Sequence, residues 1–222
     1  MGNEHVRKTI NAFLEGKRPK ERYTSFDYCY NYFYSFYRDK KISDLSSKEN
    51  IQMSCLQLGF YLASWGMFRG RGWLLQKSVK NFEPLIKWIS NANKELWEID
   101  VDSYDHDQEN IISAAEEIRE VFHDGDRRPS DTLVTKIMLG VFGNIPAFDT
   151  YFSSSFGVRI INKRGLERIH KFYYQNKKAI DNFKIYTLDF YTGKPTKTIY
   201  KKAKIIDMIG FELGMKKEKA FE

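Results

Sequence analysis

Residues 26–38 read FDYCYNYFYSFYR, with Thr24 and Ser25 ahead of them as helix N-caps. Wound into a helix, this run points aromatic or apolar side chains in nearly every direction. A helix that is apolar nearly all round belongs inside, packed against other elements. The chain is therefore expected to pack further structure around this segment. Aromatic residues make up 16% of the 222, enough to supply large buried areas for such a wrapping.

Helical spacing recurs along most of the remaining chain. Val6, Ile10, Phe13 and Leu14 mark one face of a first helix that GKRP ends. The most hydrophobic stretch, residues 50–65, predicts a central helix in which Gly59, Ala63 and Ser64 let another helix come close. A further helix is expected from about Trp73, interrupted or restarted at Pro84. The acidic segment 98–109 reads as a solvated connector between sub-lobes of about 1–100 and 108–222 within one compact helical fold. Beyond it, Ile111, Ile112, Ala115, Ile118 and Phe122 predict a helix over 109–122, and HDGDRRPS breaks it. Ser130 is the expected N-cap of a helix carrying Leu133, Val134, Ile137, Met138 and Val141. A basic helix over 163–182, a hairpin turning at Thr192-Gly193 and a last helix over AKIIDMIGF complete the chain. The expected fold class is mainly α: a two-lobed helical domain with at most one small β-hairpin near the C-terminus.

Charge narrows the partners. Thirty-six Lys and Arg against 29 Asp and Glu give a net charge of +7, which favours polyanions because neutralised phosphates release condensed counterions. Residues 159–178 hold seven cations against only Glu167, whereas residues 95–109 hold seven acids and no Lys or Arg. Arg164, Arg168 and Lys171 are therefore candidate phosphate contacts on one basic face. Cys29 and Cys55 stand among apolar neighbours, so a reducing, cytoplasmic location is expected. No apolar run approaches the roughly 20 residues of a membrane span, and no membrane partner is expected. The four His residues lack metal-ligand spacing, and neither a P-loop nor a dinucleotide motif occurs, so no metal and no other cofactor is expected.

Residues 109–149 run helix, hairpin with Asp124, Gly125, Asp126, Arg127 and Arg128, helix from Asp131, and then GNIPAFD with Pro146 and Asp149. This order resembles the helix-hairpin-helix superfamily of DNA glycosylases, over about 40 residues. Gly125 is the only glycine of the hairpin, where well-known members carry a glycine-rich one. The resemblance implies a metal-free enzyme that flips a damaged or modified base out of duplex DNA and excises it. Gly125, Arg127, Arg128 and Ser130 would then hold backbone phosphate, and Asp149 would stabilise the sugar cation and activate water. Bifunctional members carry a Schiff-base lysine near the start of the second helix, which points to Lys136. A helical wheel places Lys136 on the flank of the apolar face, where simple solvation is expected, and so implies a monofunctional hydrolase.

The segment SWGMFRGRGW adds Trp65, Arg69, Arg71 and Trp73 as a candidate base pocket or wedge, by stacking on an extruded base and holding phosphate. Its bland reading is a helix connection with core tryptophans, and for Asp149 it is a helix-capping or turn-forming role. A nucleic-acid-binding module without chemistry and a helical interaction or toxin-like domain use the same charge balance.

Overall fold

Nine α-helices form among the described residues, 2–70 and 72–220 of the computed structural model. They are α1 (Asn3–Glu15), α2 (Ser25–Arg38), α3 (Ile51–Ser64), α4 (Glu83–Asn91), α5 (Tyr104–Val121), α6 (Asp131–Phe142), α7 (Thr150–Phe156), α8 (Lys163–Asp181) and α9 (Lys202–Lys219). Between α8 and α9, strands β1 (Tyr186–Leu188) and β2 (Pro195–Ile199) pair antiparallel. The fold is mainly α with one small hairpin. No helix among the described residues is long and apolar enough to cross a membrane.

The aromatic run is enclosed only in part: α2 buries Phe26, Cys29, Tyr30 and Phe33, while Tyr28, Tyr32, Tyr34, Phe36 and Tyr37 are half-buried. The most enclosed helices are instead α6, buried at every residue from Leu133 to Phe142, and α9, buried from Ala203 to Glu212. Residues 50–65 do form a helix, but α3 is not central. Met53, Leu56 and Phe60 recur at i, i+3 and i+7 on its outer side, and Phe60 is 72% exposed. Hydrophobic content counts apolar residues without asking which way they face.

Other expectations need correction. The helix expected from Trp73 is replaced by two 3-10 turns, Trp73–Gln76 and Val79–Phe82. Only at Glu83 does α4 begin, with Pro84 in its first turn, where a missing N–H removes no helical bond. The acidic segment is not a solvated boundary, because Ile99, Val101 and Tyr104 are buried. Asp100 accepts the amides of Lys202 at 2.8 Å and Ala203 at 2.9 Å, so its charge caps the start of α9. The following helix starts at Tyr104 rather than at Glu109, and the Tyr104 hydroxyl donates to the Asn144 carbonyl at 2.6 Å.

Helix α7 lies along α9, and two glycines permit that approach. At Gly210 an added Cβ would meet the Phe152 ring at 2.2 Å, and at Gly214 it would meet the Tyr151 carbonyl oxygen at 2.1 Å. A ring can rotate, but a helical carbonyl cannot move without its helix. Gly214→Ala is therefore expected to destabilise the chain by about 1–3 kcal/mol in urea unfolding, whereas Gly2→Ala, with open space around it, leaves the midpoint in place. An unchanged midpoint for Gly214→Ala would contradict the α7–α9 contact.

Candidate functional site

Gly143 ends α6 in the left-handed conformation, with φ +65°, and turns the chain back along the helix it has just left. Three side chains then fix the returning loop. Thr132 donates to the Phe148 carbonyl at 2.8 Å, Thr135 accepts the Phe148 amide at 2.9 Å, and Asp207 accepts the Ala147 amide at 3.0 Å. Asp149 follows at once. Its Oδ1 accepts the Phe152 amide at 3.0 Å and so caps α7, while its Oδ2 lies 3.9 Å from Lys136 Nζ. The capping role is real, and it leaves the second oxygen directed at the lysine.

The solvated reading of Lys136 is overturned. The residue is only 4% exposed, and its ammonium donates to the Trp65 carbonyl at 2.8 Å. A helical wheel locates the apolar side of α6 but not the elements beyond it. Here the Trp65 loop covers the flank, and Lys136 threads its stem beneath that loop.

Lys136 and Asp149 open into a cavity of about 460 Å³, within the roughly 300–1,000 Å³ typical of small-molecule sites. Thr132 and Lys136, one helical turn apart on α6, form one wall; Trp65 and Arg69 form another. Arg22, Tyr151 and Glu218 reach it from remote parts of the chain, and no local motif marks them. Below, Lys204 and Asp207 pair at 2.7 Å with both side chains largely buried.

Burial governs the titration of the central pair. Desolvation pushes Lys136 below the 10.5 of an ordinary lysine, against the opposing pull of Asp149. Desolvation also pushes Asp149 above the ordinary 3.8, against Lys136 and the amide bond from Phe152. Both groups shift toward neutrality.

The tryptophans divide. Trp65 belongs to the cavity as a fixed wall, because Tyr23 stacks on it at 5.8 Å and the Arg22 guanidinium lies 5.3 Å from its ring centre. It is not a free wedge. Trp73 packs against Phe122 at 5.2 Å, away from the cavity, as a core residue would. Arg69 lines the cavity, and Arg71 lies outside the described residues.

The backbone-binding candidates form two groups. In the first, the hairpin closes on paired bonds between Asp124 and Arg127, with Gly125 at φ +58°. Ser130 caps α6 through the Leu133 amide at 3.3 Å. Much of the hairpin's charge is internally matched: Arg128 pairs with Glu120, Lys77 with Asp124 at 2.7 Å, and Arg119 with Asp131 at 2.9 Å. The second group, Arg164, Arg168 and Lys171, lies exposed along one side of α8. No set of three or more His, Cys, Asp or Glu among the described residues is arranged to hold a metal ion. No known protein family, characterised protein or solved structure matches the chain.

The buried pair sets a stability test. Lys136→Met strands the Asp149 charge and is expected to cost about 1–3 kcal/mol at neutral pH. The double variant Lys136→Met/Asp149→Asn removes both charges and keeps a good cap, so it recovers that loss. Urea unfolding of the wild type and both variants reads the difference. A double variant no more stable than Lys136→Met would show that the two groups are not coupled.

Proposed function

We propose that the chain is a DNA glycosylase that excises a base from duplex DNA using Asp149 as a charge-stabilising carboxylate and Lys136 as an amine nucleophile. The observation that carries this reading is the convergence of the two groups, 3.9 Å apart, on a single open cavity. The basic balance and the helix-hairpin-helix order support the same assignment. The position of Lys136 on the cavity wall supports a reading in which the lysine attacks the sugar, in place of the water-only, monofunctional expectation.

The chemistry follows from the two environments. Breaking an N-glycosidic bond builds positive charge on the deoxyribose, and Asp149 Oδ2 supplies the opposing charge from a desolvated position. The Lys136 lone pair bonds to C1′ as the base departs with the electrons of the glycosidic bond and takes up a proton. Opening of the C1′–O4′ bond then protonates O4′, while the nitrogen sheds a proton and becomes an iminium joined to C1′. A lysine depressed by burial holds more neutral amine near neutral pH than a solvated one. Arg22 and Arg69 suit the phosphates flanking the flipped nucleotide.

Borohydride trapping tests this directly. Reduction of the iminium leaves a permanent protein–DNA amine, so wild-type protein incubated with duplexes carrying abasic or modified sites is expected to yield a cross-linked band. Lys136→Gln abolishes the band, and Asp149→Asn lowers its rate of formation on base-bearing duplexes by about 100-fold or more. The rate rises with pH along two limbs: an acid limb above 3.8, as Asp149 ionises, and a further rise below 10.5, as Lys136 loses its proton. Trapping that survives in Lys136→Gln, or no trapping on any duplex, would remove the lysine role.

A further inference from the structure

The turn between α7 and α8 shapes a second cleft, of about 270 Å³, walled by Arg159, Arg164 and Arg168. Two glycines build it. Gly157, at φ +65°, ends α7 and leaves room for the Arg168 guanidinium, whose Nη1 lies 3.1 Å from where a Cβ would stand. Gly165 lets the incoming loop cross the first turn of α8, with the Ile160 carbonyl oxygen 3.1 Å from its own missing Cβ. From beneath, the Ile161 amide donates to Asp131 at 2.7 Å, which pins the loop to the start of α6. The cleft is thus held from two sides.

Its charge is uncompensated. Among the described residues none of the three guanidiniums pairs with a carboxylate, whereas of the hairpin's two arginines Arg128 pairs with Glu120 and only Arg127 has no such partner. Glu167 is the only acid between residues 150 and 180. The Asn162 side chain already occupies the Gly165 amide at 2.8 Å, so the arginines, and not the helix terminus, supply the attraction. Guanidinium forks match phosphate oxygens in geometry as well as charge.

We infer that this arginine cleft, rather than the 124–130 hairpin, is the principal grip on the phosphate backbone of duplex DNA. The inference rests on the glycosylase reading for which nucleotide is presented, but not for the charge of the cleft. Helix α7, seven residues long, spans about 10 Å between Asp149 and Gly157. That separation corresponds to about three base-pair steps of rise along the duplex axis at 3.4 Å each, so a duplex held here can present a nearby nucleotide to the cavity.

Fluorescence anisotropy with an unmodified labelled duplex, the full chain and a salt series tests the assignment. Arg159→Gln/Arg164→Gln/Arg168→Gln is expected to weaken binding at least about tenfold and to reduce the slope of log K against log salt by about 2. Arg127→Gln/Arg128→Gln changes affinity less than about threefold, and Arg159→Lys/Arg164→Lys/Arg168→Lys keeps nearly the wild-type slope. A thermal melt verifies folding, and the single charge reversal Arg159→Glu, expected to weaken binding at least about fivefold, carries the test if the triple variant unfolds. An unaffected triple variant, a larger loss at the hairpin, or no salt-sensitive binding by the wild type would overturn the inference. Arginine-dependent binding without borohydride trapping would instead leave the cleft standing and remove the catalytic reading.

Discussion

Asp207 accepts the Ala147 amide at 3.0 Å while pairing with Lys204 at 2.7 Å, and the placement of Asp149 two residues later follows from that contact. Both charges come from the enclosed stretch of α9, where an unpaired ion would be costly. Lys204 also lies 4.6 Å from the ring centre of Phe26 and 5.6 Å from that of Trp65, so aromatic faces replace part of its lost hydration. The aromatic α2, the Trp65 loop and the IPAFD turn are thereby tied to one ion pair beneath the cavity floor. Replacing that pair by apolar residues of similar volume would suit a core but would release the loop that carries the acid.

The same burial that shifts Lys136 and Asp149 toward neutrality works against folding. Each charge loses water that its partner at 3.9 Å only partly replaces. Holding such groups in place is a common source of the trade between stability and activity. Here the surrounding bonds offset the cost: the Phe152 amide on Asp149, the Trp65 carbonyl on Lys136 and the two threonines on Phe148. Trp65 and Arg22 line one side of the cavity, and Tyr23 stacks on the Trp65 ring.

Periodic elements were legible in the sequence because their apolar residues repeat every three or four positions: α1 and α6 follow that pattern closely, and α5 does so apart from a start five residues early. Asp149 and Lys136 could be picked out from the order of motifs, yet the wheel misplaced Lys136, since burial by a distant loop leaves no trace in local spacing. Helix α7 was not read from the sequence, because its seven residues are too few for a clear stripe. Arg22, Tyr151, Lys204, Asp207 and Glu218 were out of reach for a different reason. They meet the site only through the packing of α7 on α9 and of the Arg22–Thr24 turn on the Trp65 loop, which are contacts between remote segments.

The most direct test is release of free base. Purified protein is incubated with duplex oligonucleotides carrying a panel of damaged and modified bases, and the small-molecule fraction is analysed by mass spectrometry. If the pair works as proposed, at least one duplex yields a free base with the wild type, and Asp149→Asn, folded and still bound to DNA, releases it at least about 100-fold more slowly. Release that persists undiminished in Asp149→Asn, or no release from any duplex that the protein binds, would contradict it.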